Sequence, residues 1–141
     1  MKLVIHDPNS VLNDSFKPWF IMKLRNHIIN SISDAKLQNW NTYLNELPEY
    51  RSIYKKKLAA RDIIIAGASN LIAIDSSDSI IFMINPNIYA PGLDRVKLDS
   101  ICKLINYGNN DMKAYPIFTD TFNYFRSELQ TYISRFLAGL I

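Results

Sequence analysis

The sequence predicts a single α+β domain spanning residues 1–141, in which a small three-stranded antiparallel sheet packs with about five helices. Three observations lead to this prediction. Apolar residues recur at helical spacing in the N-terminal part, β-rich runs separated by turn residues follow, and helical spacing returns after Pro91 and Gly92. A chain of 141 residues with 48% hydrophobic and 21% charged residues can bury a core without disulfides or metal.

The chain begins with a predicted strand and a first helix. Residues 2–5 form a short apolar run that ends in a polar turn containing proline. A helix can begin at Asp14 or Ser15, because Pro18 is tolerated in a first turn, where the amides have no intrahelical partner. We expect this helix to end near residues 31–33.

Two further helices are predicted before residue 61. Ser33 and Asp34 provide a cap for the first of them. Its apolar stripe has clean helical spacing and consists of Leu37, Trp40, Leu44 and Leu47. Pro48 ends that helix and can open the next one. The apolar face of this third helix consists of Tyr50, Ile53, Tyr54 and Leu58.

Three extended runs are predicted next, at residues 62–66, 71–75 and 79–84. The short segments between them contain turn-forming residues, so the three runs fit an antiparallel meander. The first and third runs show no alternation of polar and apolar residues. We therefore expect both faces of at least two strands to be covered, by helices on one side and by helices or another subunit on the other.

The C-terminal part contains a loop and two helices. After the loop at residues 85–92, Asp94 or Asp99 can cap a helix that ends at Gly108, where a left-handed conformation is expected. The final helix is predicted to start at Thr119 or Asp120. Its apolar stripe consists of Phe122, Phe125, Leu129, Tyr132, Ile133, Phe136 and Leu140.

Composition limits the class of protein. The only cysteine, Cys102, cannot pair within the chain, which favours a reducing compartment. No segment resembles a targeting signal or reaches the ~20 apolar residues of a membrane span, so we expect a soluble protein. Residues 1–61 carry ten basic and five acidic side chains, whereas residues 62–141 carry six and eight. This asymmetry would suit phosphate binding or contacts between subunits.

No catalytic, cofactor or metal site is evident. His6, His27 and Cys102 lack the number and spacing of zinc ligands. We expect His27 to lie at the edge of the core and His6 to bond locally in a turn. Asp75 and Asp78 bracket a turn without the pattern of a calcium loop, and no phosphate-binding glycine motif occurs. The sequence therefore predicts no metal, no cofactor and no enzymatic activity.

A basic cluster is the best candidate for nucleic-acid binding. It lies on the predicted third helix, interleaved with tyrosines, and consists of Arg51, Lys55, Lys56, Lys57 and Arg61. Lysines can neutralise phosphates while tyrosines stack on bases. The alternative is a solvated helix face, since no aromatic RNA-binding motif accompanies the cluster.

Aromatic and apolar side chains in the second half are candidates for a protein interface. Tyrosine and phenylalanine are favoured at interfaces, although the core can also use them. The apolar C-terminal segment is hard to bury within its own domain, which suggests a partner. The predicted interface residues are Tyr89, Tyr107, Tyr115, Phe136 and Leu140.

The segments KLINYGN and PIFTDTF, within residues 79–126, resemble small virion-assembly proteins of tailed bacteriophages that are encoded among head and tail genes. The residues that carry this resemblance are Asn85, Pro86, Asn87, Pro91, Gly92, residues 103–109, Ile117, Phe118 and Thr119. The resemblance implies a role in the virion neck or tail, and it implies no catalytic residue.

Together these observations predict a non-enzymatic assembly protein that contacts copies of itself or neighbouring virion subunits. It would reside in the host cytoplasm during assembly and then in the virion. The alternative is a nucleic-acid-binding regulator that uses the basic helix at residues 50–61.

Overall fold

The computed structural model describes residues 1–12, 14–53, 56–93 and 95–139. This part of the chain contains three strands, six α-helices and one short 3-10 turn. In chain order they are β1 (Lys2–His6), α1 (Phe16–Ser31), α2 (Asp34–Glu46), the 3-10 turn (Pro48–Tyr50), α3 (Ala60–Ser69), β2 (Leu71–Ser76), β3 (Ser79–Ile84), α4 (Leu98–Tyr107), α5 (Ile117–Ser127) and α6 (Leu129–Leu137). The predicted α+β class with a three-stranded antiparallel sheet is confirmed.

The sheet has the strand order β1-β3-β2, and both pairings are antiparallel. The hairpin of β2 and β3 matches the second and third predicted runs. The meander is wrong, however, because the third strand is β1, which pairs with β3 from the far end of the sequence. Backbone hydrogen bonding alone does not determine this strand order, because the order must also allow helices to pack on one face of the sheet.

Residues 62–66, predicted to be a strand, lie in helix α3. A short continuous apolar run fits a buried helix as well as a buried strand, so periodicity cannot separate the two. Two features outside the run favour the helix. The side-chain oxygen of Asn41 accepts the N–H of Ala60 at 2.7 Å, at the beginning of α3. Helix α3 contacts α1, α2 and α4, so neighbouring helices cover its apolar side chains on several sides.

The third helix predicted from Pro48 is also wrong. Among the described residues there, the single 3-10 turn is the only helical element, and the next helix begins at Ala60. Asn45 offers the backbone a competing arrangement, because its side-chain oxygen accepts the N–H of Leu58 and its amide donates to the carbonyl of the same residue, each at 2.7 Å. These two bonds hold the segment before α3 against α2 in a non-helical conformation.

The predicted final helix is two helices, α5 and α6, which separate at Glu128. The bend lets α6 fold back on α1. The ring of Phe136 lies 5.1 Å from that of Phe16, and the ring of Tyr132 lies 6.3 Å from that of Trp19. No residue of α6 is fully buried, so this helix is the outermost layer of the core.

Aromatic rings form the centre of the core between the sheet and helices α1 and α5. The ring of Phe20 lies 5.1 Å from that of Phe82 on β3 and 5.5 Å from that of Phe125 on α5. Phe16 stacks on Phe20 at 5.1 Å. All four rings are at least 98% buried. Each such side chain contributes about 2–3 kcal/mol by burial. Because Phe16 and Phe20 both lie on α1, this helix joins the sheet to the rest of the core.

Candidate protein-docking surface

The sheet covers the core with one face and exposes the other. Register places Val4, Ile81 and Ile74 in one row across the three strands. The neighbouring row contains Lys2, Met83 and Ile72. We call the five apolar side chains of these two rows the open face: Val4, Ile72, Ile74, Ile81 and Met83.

The open face is accessible to solvent. Val4 is 46% exposed and Ile74 is 43% exposed, whereas Leu3 and Ile5 on the opposite face are completely buried. None of the five side chains belongs to the described core or packs against it. An antiparallel sheet that faces water usually carries polar residues there, so five adjoining aliphatic side chains are an unusual composition.

This observation bears on the expectation that both sheet faces are covered. Helices cover one face, as predicted, and no described element of the chain covers the other. The five residues were not among the predicted interface residues. The signal was present in the alternate positions of the runs IIFMI and LIAI, but it could be interpreted only after the strand order was known.

Strand β1 is an edge strand, and no described strand pairs with its outer side. The N–H of Asp7 donates to the carbonyl of Asp78 at 2.6 Å, which makes these residues a hydrogen-bonded pair. Such pairs alternate along an antiparallel ladder. The backbone groups of Leu3 and Ile5 therefore face β3. Those that face the free edge belong to Lys2, Val4 and His6.

Charged side chains lie at both edges of the sheet, and that of Asp75 shares the helix-covered face with Ile80. At the end of β1, His6 Nδ1 lies 3.5 Å from Asp78 Oδ2. At the opposite edge of the sheet, Lys17 Nζ donates to Asp75 Oδ2 at 2.6 Å. The hydrogen bond to Asp75 raises the pKa of Lys17 above its ordinary value. Lys2 occupies the other end of β1. A cation therefore lies at one end of this strand and the carboxylate of Asp78 lies beside the other.

The predicted interface residues do not form one surface. Tyr89 and Tyr107 are more than half exposed but lie at opposite ends of α4. The hydroxyl of Tyr115 accepts the N–H of Ser33 at 2.9 Å, and Phe136 packs on Phe16. Leu140 lies outside the described residues. Tyr115 and Phe136 thus stabilise the fold of their own chain, and only the first two tyrosines are largely available to a partner.

Of the described members of the basic cluster, Arg61 lies in α3, whereas Arg51, Lys56 and Lys57 lie outside any helix. Arg51, Lys56 and Lys57 are exposed and line a shallow groove of about 540 Å³ together with Tyr50. Arg61 lies 3.3 Å from a carboxylate oxygen of Asp34 and is partly neutralised. Lys55 lies outside the described residues.

A larger groove, of about 990 Å³, lies between α1, α2 and the segment before α5. Apart from Tyr115, its ionisable side chains are His27, Lys36, Asp111, Lys113 and Asp120. In the described ranges no hydrogen bond or ion pair joins any two of these side chains. His27 stacks on Tyr124 at 4.7 Å, and burial lowers its pKa. Tyr124 is not part of the lining, so the described lining contributes one face of His27 and charges that are not paired with one another.

The described residues contain no group of three or more histidine, cysteine or acidic side chains placed to hold a metal ion. Among the described helices, none combines the length and the apolar character that crossing a bilayer requires.

Comparison with known proteins finds no family model, no curated protein and no solved structure that matches this chain.

Proposed function

We propose that this chain is a non-enzymatic assembly protein that binds other protein subunits through the open face of its sheet. The observation that carries the proposal is the pair of adjoining apolar rows described above, with Val4 and Ile74 nearly half exposed. Covering apolar surface contributes about 25 cal/mol per Å², so these rows favour association with a partner that also has an apolar surface.

The setting we propose is the neck or tail of a tailed-phage virion, and the protein would be in the host cytoplasm before it enters the virion. The sequence resemblance over residues 79–126 supports this setting. Several residues that carry it act in this chain as scaffold. Asn106 binds the start of α5, and the side-chain oxygen of Asn109 accepts the N–H groups of Asp111 and Met112. At these two asparagines the resemblance therefore concerns residues that stabilise the connection between α4 and α5.

The proposal is tested by association measurements on matched variants. The Ile74→Lys variant places a charge on the open face, on the edge strand β2, whereas Met22→Lys places one on α1 at a residue that is 50% exposed. Purified protein is examined by size-exclusion chromatography with light scattering. Capture assays use the neck and tail subunits encoded by neighbouring genes.

We expect the wild-type protein and Met22→Lys to capture at least one of these subunits, and Ile74→Lys to lose that capture. A wild-type chain that stays monomeric and captures none of the subunits contradicts the proposal. So does equal binding by all three proteins.

A second candidate function, nucleic-acid binding, is favoured by the three exposed cations Arg51, Lys56 and Lys57 beside Tyr50. In the described residues none of the three forms an ion pair. Binding to labelled single-stranded DNA and RNA at rising salt tests it. Affinity should fall steeply with salt and fall further in the Lys56→Ala, Lys57→Ala double variant, because displaced counterions drive such binding. Affinity that does not change with salt excludes this function.

A further inference from the structure

We propose that strand β1 pairs with β1 of a second copy of this chain, antiparallel and centred on Val4, so that two sheets join into one six-stranded sheet. This inference deepens the proposed function, on which it rests, by naming a second copy of the chain as a partner. The argument depends on three properties of β1: its free backbone groups, its charges and its side chains.

The backbone of β1 is ready to accept a strand. The alternation fixed by the Asp7–Asp78 pair directs the N–H and C=O groups of Lys2, Val4 and His6 away from β3. No described backbone group other than those of β3 bonds to β1. An unpaired edge of this kind is a template for another strand.

The charges of β1 are self-complementary. In an antiparallel pair centred on Val4, Lys2 of one copy lies opposite His6 of the other. The carboxylate of Asp78 lies beside His6, with 3.5 Å between Nδ1 and Oδ2. Each Lys2 ammonium would thus meet an acceptor on the second copy, and the two-fold symmetry produces this contact twice. In an antiparallel pair centred on Val4, the charged groups at the two ends of the strand would therefore complement each other.

The side chains continue the open face across the junction. The row of Ile74, Ile81 and Val4 would meet the same row of the second copy, so that six aliphatic side chains run across the joined sheet. Val4, which is 46% exposed, would be covered on its free side. Side chains that lie directly opposite each other on neighbouring strands contact one another, so the two Val4 side chains would favour this register.

The other edge of the sheet is less suited to this pairing. Helix α1 contacts β2. The ammonium of Lys17 on α1 binds the carboxylate of Asp75 on β2 at 2.6 Å. An added strand at β2 would have to fit beside this helix, whereas all three outward residues of β1 are exposed.

The first experiment is cysteine crosslinking. Val4→Cys would place two cysteines opposite each other with Cα atoms about 5.5 Å apart, which is within the range of a disulfide. Under mild oxidation we expect Val4→Cys to form a reducible dimer. The wild-type protein should not, because Cys102 is completely buried. Ile74→Cys is the matched control, with a similarly exposed side chain on the opposite edge strand, and should crosslink far less. Equal crosslinking of both variants overturns the inference, as does its absence in both.

The second experiment measures dimerisation without a covalent bond. By light scattering we expect the wild-type protein to have the mass of two copies, and Val4→Lys to have the mass of one, because like charges would lie opposite each other. Circular dichroism checks that the variant is folded. Ile74→Lys should remain a dimer. A wild-type monomer, or a dimeric folded Val4→Lys, overturns the inference.

The outcomes separate the two proposals. If Val4→Lys leaves the dimer intact while Ile74→Lys loses binding to a subunit, the edge pairing fails and docking through the open face stands. If Val4→Lys dissociates the dimer while Ile74→Lys binds every partner normally, the edge pairing stands and the open face is not the docking site.

A charge exchange tests the register. Lys2→Glu and Asp78→Lys should each weaken dimerisation about tenfold, because each creates two like-charge contacts. The double variant restores opposite charges and should recover most of the affinity. Additive losses in the double variant overturn the proposed register.

Discussion

The side chain of Asn106, in the last turn of α4, binds Thr119 in the first turn of α5. The amide of Asn106 donates to Oγ1 of Thr119 at 2.7 Å, and its carbonyl oxygen accepts the N–H of the same residue at 3.1 Å. The same oxygen accepts the N–H of Phe118 at 3.0 Å. A completely buried asparagine thus caps a helix from which it is separated by the 108–116 segment.

We expect Asn106→Ala to lower the free energy of unfolding by about 2 kcal/mol, because it leaves buried N–H groups of α5 without an acceptor. Urea unfolding followed by circular dichroism measures this change. Asn106→Asp is the control, since it keeps the acceptor near a helix N-terminus and should lose less. Equal stability of Asn106→Ala and the wild-type protein would contradict the capping role.

Gly108, which follows α4, should be intolerant of any side chain. It has a φ of +68°, and an added Cβ would lie 2.5 Å from the carbonyl oxygen of Met112 and 2.6 Å from the backbone nitrogen of Ala114. We expect Gly108→Ala to reduce the free energy of unfolding by about 2–4 kcal/mol.

Gly139 provides the matched control for this prediction. It also has a positive φ, +74°, but no atom lies within 4 Å of its added Cβ. Gly139→Ala should therefore cost about 1 kcal/mol or less. Thermal unfolding of the two variants separates backbone conformation from steric overlap. Similar losses in both variants would show that the close approach at Gly108 is unimportant.

Gly67 allows α3 to approach α4 closely. A Cβ at this position would lie 2.7 Å from Sγ of Cys102 and 2.9 Å from Cζ of Phe118. We expect Gly67→Ala to cost about 1–3 kcal/mol through overpacking. Adding Cys102→Ala removes one of the two clashing atoms. The double variant should therefore be more stable than the sum of the single effects predicts, by about 0.5–1 kcal/mol. Strict additivity in urea unfolding would contradict the contact.

Cys102 should reduce stability at high pH. Burial raises the pKa of its thiol from 9.0 to about 12, so the folded protein keeps the proton after the unfolded chain has lost it. Between these two values the native state binds more protons, and its free energy of unfolding therefore falls as pH rises. The contribution of this group is at most about 1.4 kcal/mol per pH unit.

The comparison that isolates this effect is Cys102→Ala, whose stability should fall less steeply between pH 9 and 12. Both proteins are unfolded in urea at each pH. The same burial makes the native thiol slow to react with a thiol reagent at neutral pH and fast in denaturant. Parallel pH profiles for the two proteins, or rapid labelling of the native thiol, would contradict the prediction.

Only part of the candidate site could be predicted from the sequence. Alternate apolar positions on the strands are visible in the sequence, but which of them face helices depends on the strand order. Tyr115 illustrates the reverse problem. It was predicted to be at an interface, and its hydroxyl instead binds Ser33, 82 positions away in the chain.

What the sequence by itself determined are the elements that local interactions specify. The helices α1, α2 and α4, the β2–β3 hairpin and the positive φ of Gly108 follow from periodicity, turn residues and backbone sterics within a few positions. Only the tertiary structure decided that α3 is a helix, that β1 is the third strand and that α5 begins at Ile117. Each of these depends on a partner distant in sequence: the neighbouring helices for α3, the edge of β3 for β1 and the side chain of Asn106 for α5. Local periodicity cannot encode such contacts, because their free energy appears only when separate segments pack together.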